Sequence, residues 1–174
     1  MTLPLLPDDP AAEAIAVLRF LEQLRSTRER IVVDADGGGG SASVAAVLAA
    51  DVLIVASRDE GAALLDSYAA IKWFARLGYG GRVGVVIGGS PGRGAETAGR
   101  RLAGAAARFL GLEVQALGTF SDADAWLSGG GAAACGEAAG GDAELSRIAV
   151  RLDPDLWPGP LGSDVWLNVA HLFL

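Results

Sequence analysis

Ser90 stands in Gly88-Gly89-Ser90-Pro91-Gly92, a G-x-S-x-G spelling between an apolar run and a helical one. In that context a hydrolase presents its nucleophile on a sharp strand-to-helix turn. Asp122 or Asp124, then the single histidine His171, follow in the order Ser, Asp, His. Such a set would carry acyl transfer, but the residue after the serine must donate its N–H to the oxyanion, and Pro91 has none. Losing one such donor costs about 2.7–4 kcal/mol of transition-state stabilisation. The competing reading is a Gly/Pro loop at 88–92 and a histidine packed among Val169, Leu172 and Phe173.

The second constellation is Asp34-Ala35-Asp36 followed by Gly37, Gly38, Gly39 and Gly40. Asp34 would accept N–H bonds from those glycines, with Asp36 in solvent. The run is not a calcium loop, because the glutamate that would complete the coordination is missing. Arg100, Arg101 and Arg108 form the solvated face of a helix or a contact for a partner.

These residues need elements to hold them. Asp9-Pro10 opens a helix of about 10–26, with a capping oxygen and a proline whose missing donor is harmless there. Its apolar arc holds Val17, Leu18, Phe20, Leu21 and Leu24. Ile31-Val32-Val33 and the run 52–56 read as strands. A helix follows with Leu64, Tyr68, Ile71 and Ala75 at helical spacing, ending near Gly78. Residues 83–87 form a third strand, and 94–110 a helix with Ala98, Leu102, Ala105 and Phe109 on one face. The run 112–117 alternates, which suits a half-exposed strand near an edge.

Short apolar strands alternating with amphipathic helices predict an α/β fold, with a mostly parallel sheet covered by helices on both faces. Ligands of such sheets bind beyond the carboxyl ends of the strands. The segments 34–40, 57–60, 88–92 and 118–122 fall there. We expect one α/β domain over 1–128, a Gly/Ala-rich linker at 129–141 and a helical segment at 142–174.

The net charge of −7 disfavours a nucleic-acid partner. A single cysteine, Cys135, leaves no internal disulfide and fits a reducing, cytoplasmic setting. No apolar run reaches the roughly 20 residues of a membrane span, and residues 1–10 lack the basic start of a signal peptide. A membrane-surface helix at 162–174 is disfavoured, because that stretch carries no lysine or arginine.

The segment Asp51-Val-Leu-Ile-Val-Ala-Ser-Arg-Asp-Glu-Gly-Ala-Ala-Leu-Leu-Asp-Ser-Tyr-Ala-Ala-Ile-Lys72 resembles the FlhG branch of the MinD/ParA-type nucleotide-binding family. There an alanine-aspartate pair opens a strand that ends near Pro-Glu-Pro, and a helix reads Asp-Ala-Tyr-Ala-x-Ile-Lys. Glu60 stands at the glutamate, and Asp66, Tyr68, Ala69, Ile71 and Lys72 match the helix. Asp59 and Gly61 replace both prolines. Ile31-Val-Val-Asp34 with its glycines resembles the family's strand-end aspartate. Residues 108–113 and Leu117-Gly118 resemble its late helix, strand and glycine. The similarity covers about 10–127.

That resemblance implies a partial P-loop NTPase fold, in which Asp34 holds a magnesium-bound water and Gly37, Gly38 and Gly88 lie beside a nucleotide. The departures point elsewhere. No Gly-rich loop ending in a lysine with Gly, Ser or Thr occurs, although that loop cradles the phosphates. Gly88 replaces an adenine-reading asparagine, and Ser121 a late proline. We therefore expect a regulatory module that neither hydrolyses nor tightly binds ATP and that contacts a flagellar assembly protein, itself, or both. ATP and magnesium enter only if the family function is retained. One alternative is the carboxyl-terminal part of a true ATPase; the other is a small serine hydrolase using Ser90, Asp122 and His171.

In the family the phosphate-loop strand lies inside the sheet, beside the strand matching 31–34. A chain without it must reorder its strands, cover the gap with the stretch around Leu3 and Leu6, or pair with another subunit. Self-association is the expected outcome, since an open apolar edge invites pairing.

Overall fold

The computed structural model describes residues 9–28, 30–35, 39–89, 93–120, 148 and 167–170. Helix α1 (Pro10–Arg25) starts as its capping residues dictate: the Asp9 carboxylate accepts the Ala11 N–H at 3.0 Å, and Pro10 takes the first helical position. Val17 and Leu21 are its buried residues and pack on Ala46, with Ile31, Val33 and Ala42 partly buried beside them.

Residues 31–35 form neither helix nor strand, with Val32 exposed and Ala35 buried. Contrary to the expectation for Ile31-Val32-Val33, they join no sheet among the described residues. The β-branched run does favour extended backbone. Its inward side chains, however, are taken up by α1 and by a helix the apolar periodicity did not announce, α2 (Ser41–Leu48). Ala45, Ala46 and Val47 are all buried. A helix covered on several sides has no polar face, so no amphipathic signal is left in its sequence. Val47 belongs to the main core and Ala46 to the α1 cluster, which makes α2 a spacer between the two. Ser41 Oγ also donates a hydrogen bond to the Glu13 carboxylate, fastening α2 to α1.

The centre of the fold is an all-parallel sheet, and the fold is α/β. Strands β1 (Val52–Arg58), β2 (Arg82–Gly88), β3 (Val114–Phe120) and β4 (Leu167–Ala170) lie in the order β3-β2-β1-β4. Crossover helices α3 (Gly61–Arg76) and α4 (Arg93–Leu110) bury Ile71, Phe74, Ala95, Ala98, Leu102 and Ala106 against Leu53, Val55, Val83, Val85 and Ile87. The alternate residues Val52, Ile54 and Leu117 face the other way and pack with Ile148, which is helical. Side-chain alternation along each strand thus supplies two covered faces.

As expected for an edge strand, β3 is only partly buried. A bulge interrupts its register: Val85 pairs with Ala116 but Val86 with Gly118, so Leu117 is the extra residue. The bulge sets Leu117 and Gly118 on one face, where a Cβ at Gly118 would come within 2.9 Å of Ile148.

Two further expectations are corrected. The buried stripe of α4 is Ala95, Ala98, Leu102 and Ala106, while Phe109 is exposed and Ala105 only half-buried. Small residues let α4 lie close to the sheet, and the large ring is turned to solvent beside Arg108, whose guanidinium sits 5.3 Å from it. Within 142–174, residues 167–170 are a strand, where a helix was expected; they pair in parallel with Val52, Leu53, Ile54 and Val55 of β1. The free side of β1 is thereby covered by a strand of the same chain, along its first four residues. Leu3 and Leu6 lie outside the described residues, as do residues 129–141.

Helix α3 ends as its sequence predicts. Gly78 adopts φ +89°, its N–H reaches the Ala75 carbonyl at 3.1 Å, and the Tyr79 N–H reaches Phe74 at 3.0 Å. This paired closure needs a residue that tolerates the left-handed region. It delivers Tyr79 into the core at the amino end of the sheet, where its hydroxyl donates to the Arg82 carbonyl at 2.9 Å. Burial first, and the nearby Asp51 charge second, push its phenol well above the usual range.

Candidate functional site

The carboxyl ends of β1, β2 and β3 form the only place where the strand-end segments singled out in the sequence converge among the described residues. Parallel pairing fixes their levels: Arg58 is level with Gly88, and Gly88 with Phe120. One residue further on, the Asp59 N–H donates to the Gly88 carbonyl and the Gly89 N–H to the Phe120 carbonyl, each at 3.1 Å. Backbone hydrogen bonding therefore continues one step past the strands and holds Asp59 beside Gly89.

Their contact is close. A Cβ on Gly89 would lie 2.5 Å from Cγ and Oδ1 of Asp59 and 2.7 Å from Oδ2. A Cβ on Gly94, in the first turn of α4, would lie 3.8 Å from the same carboxylate. The Asp59 carboxylate is thus laid over a glycine and brought to the amino end of α4. An acidic side chain is favoured there by the unpaired N–H groups of the first turn.

The start of α3 is fastened from the same strand end. Ser57 Oγ donates to the Ala63 carbonyl at 3.2 Å, and the buried Ser67 Oγ donates to the same carbonyl at 2.8 Å. Arg58 lies 3.8 Å from Glu60, both side chains substantially exposed. At that exposure the pair contributes little to stability. Glu60 itself precedes α3 and makes no side-chain cap bond to it.

The candidates of the sequence fall unevenly on this site. Gly88 is there, buried, with its carbonyl engaged by Asp59. Asp34 is exposed, in the irregular segment 31–35 that precedes α2 in the chain. Among the described residues, no group of three or more His, Cys, Asp or Glu is placed to hold a metal ion. Gly37, Gly38, Ser90, Asp122, Asp124 and His171 lie outside the described residues. The pairing of Asp59 with Gly89 and Gly94 escaped the sequence reading. Its signal was an acidic residue one step past β1 level with a glycine one step past β2.

The site can do three things on this geometry. It anchors the starts of α3 and α4 to neighbouring strand ends, presents Glu60 and Asp59 as acceptors, and keeps a negative charge where α4 would otherwise attract an anion. Among the described residues no helix is long and apolar enough to cross a membrane. A scan against protein-family models finds no match for this chain, and a search of curated proteins finds none either.

Proposed function

We propose that this chain is a MinD/FlhG-like regulatory module that acts through protein contacts in the control of flagellar number or placement, in the cytoplasm, without hydrolysing ATP itself. Support for the kinship comes from the order of elements. Ala50-Asp51 leads into β1, Glu60 precedes α3, and Asp66, Tyr68, Ala69, Ile71 and Lys72 all lie within α3. That is the sequence of parts on which the resemblance rests.

The observation that carries the non-hydrolysing reading is the position of the only lysine. Phosphate-loop chemistry needs a lysine at the carboxyl end of the sheet, beside the phosphates. The only lysine of this sequence is Lys72. It lies eleven residues into α3, which starts at that end and runs back toward the other. A helix rises 1.5 Å per residue, which puts Lys72 roughly 16 Å along the axis from the start of α3. At the carboxyl end itself Asp59 stands against the first turn of α4, and its charge opposes a phosphate in that place.

Two measurements test the proposal. Calorimetric titration of the full chain with ATP and with ADP, each with magnesium, is expected to give no saturable binding heat; micromolar binding or turnover sensitive to Asp34→Ala would refute the non-hydrolysing reading. Counting flagella by electron microscopy in cells lacking the chain tests the role: a changed number or position is expected, and an unchanged distribution would refute it.

A further inference from the structure

Helix α3 carries a second apolar ridge that the fold leaves partly open to solvent, although the Trp73 ring also packs on Phe74 at 5.0 Å and lies beside Gly39. Its inner side is committed to the core through Ser67, Ile71 and Phe74. On the outside, Leu65, Ala69, Trp73 and Leu77 recur every four residues, and all four are exposed. Leu65 is 70% exposed and Trp73 and Leu77 just over 40%. Residues four apart form one continuous ridge on a helix, the kind that packs into the groove of another helix.

The charges beside the ridge say which helix. Asp66 lies near one end and Arg76 near the other, both exposed and neither ion-paired among the described residues. We propose that α3 packs antiparallel against α3 of a second copy of this chain, about a two-fold axis level with Ile71. Positions equally distant from residue 71 then face each other. Leu65 meets Leu77 of the partner subunit, Ala69 leaves room for Trp73 of the partner subunit, and Asp66 meets Arg76 of the partner subunit. Two-fold symmetry makes each of these contacts twice. A parallel arrangement would instead set Asp66 against its own copy, and Arg76 likewise, so the charge pattern selects the antiparallel one. The inference draws on neither nucleotide nor flagellar protein, so it and the proposed function can fail separately.

Sedimentation velocity of the full chain, from low to high micromolar, tests this directly. The wild type is expected to dimerise. Either Asp66→Arg or Arg76→Asp sets like charges together at both symmetric positions and should weaken the dimer about tenfold. The double swap, Asp66→Arg with Arg76→Asp, restores opposite charges and should bring the dimer back to within about threefold of wild type. All the altered side chains are exposed, and thermal melting by circular dichroism checks that the variants remain folded. A wild type that stays monomeric throughout, as it would if the ridge served a different protein, overturns the proposal. So does a dimer indifferent to both single reversals, or one that the double swap fails to restore.

Discussion

Replacing Gly89 by alanine isolates the contact at the carboxyl end of the sheet. Gly89 has no left-handed φ, so alanine brings no backbone strain, and the whole effect comes from the space its Cβ needs. That space is occupied by Asp59, whose Cγ lies 2.5 Å from the required position. Because Cγ is attached directly to Cβ of Asp59, turning the carboxylate about its last torsion does not clear the overlap. The side chain must change its first torsion, or the two strand ends must part. Forced rearrangements of this kind cost about 1–3 kcal/mol, and moving the carboxylate from the amino end of α4 forfeits about 0.3–1 kcal/mol more. Asp59→Ala alone loses only the second contribution. In that background Gly89→Ala meets no carboxylate and should be nearly neutral. Urea unfolding of all four proteins, followed by circular dichroism, gives the coupling, expected at about 1.3–4 kcal/mol because both contributions vanish in the Asp59→Ala background. Equal costs of Gly89→Ala in both backgrounds would refute the reasoning.

Three further outcomes are expected. Ile71→Ala removes a side chain only 1% exposed in the main core and should destabilise by about 2–5 kcal/mol; a loss under about 0.5 kcal/mol would place α3 off the sheet. On α4, Leu102→Ala should cost a similar 2–5 kcal/mol, whereas Phe109→Ser at an exposed position should change stability by no more than about 0.5 kcal/mol; the reverse order in thermal or urea unfolding would restore the face first read from the sequence. Tyr79→Phe should cost about 0.5–1.5 kcal/mol through the lost hydrogen bond to Arg82. Because the fold raises the Tyr79 phenol, its contribution is fully present below about pH 10 and declines above that by about 1.4 kcal/mol per pH unit. Unfolding measured from pH 9 upward should therefore fall less steeply in Tyr79→Phe than in wild type.

The strand and helix alternation from β1 to β3 was legible because each element has a covered and an uncovered side, or a doubly covered apolar run, and ends in turn chemistry such as Gly78. Legibility failed where local pattern and tertiary use diverge. Ile31-Val32-Val33 has the composition of a strand, yet pairing depends on what lies alongside, and α1 and α2 lie there. Ala45, Ala46 and Val47 are buried together, so α2 offers no polar face to mark its period. On α4 the ambiguity was one of phase: Phe109 is the largest apolar residue on the helix and drew the predicted face toward itself, while the sheet accepts the small side chains of Ala95, Ala98 and Ala106. At the site, Gly88 was found as a strand-end glycine. The Asp59 contact needed the strand register, which no single segment carries.

The short strand β4 gives the sheet a timetable. Strands β1 to β3 lie within 69 consecutive residues, 52–120, and form a unit of nearest-neighbour pairings. The strand that completes β1 is separated from the end of β3 by 46 residues, 121–166. That long separation in sequence is set against pairing along only four residues. During synthesis the first three strands can assemble well before residue 167 has been made. Throughout that interval β1 offers another chain the same unpaired backbone that β4 will later take. The rate at which residues 121–170 are made, rather than the stability of the finished core, then governs how many chains complete their own sheet before meeting a neighbour's.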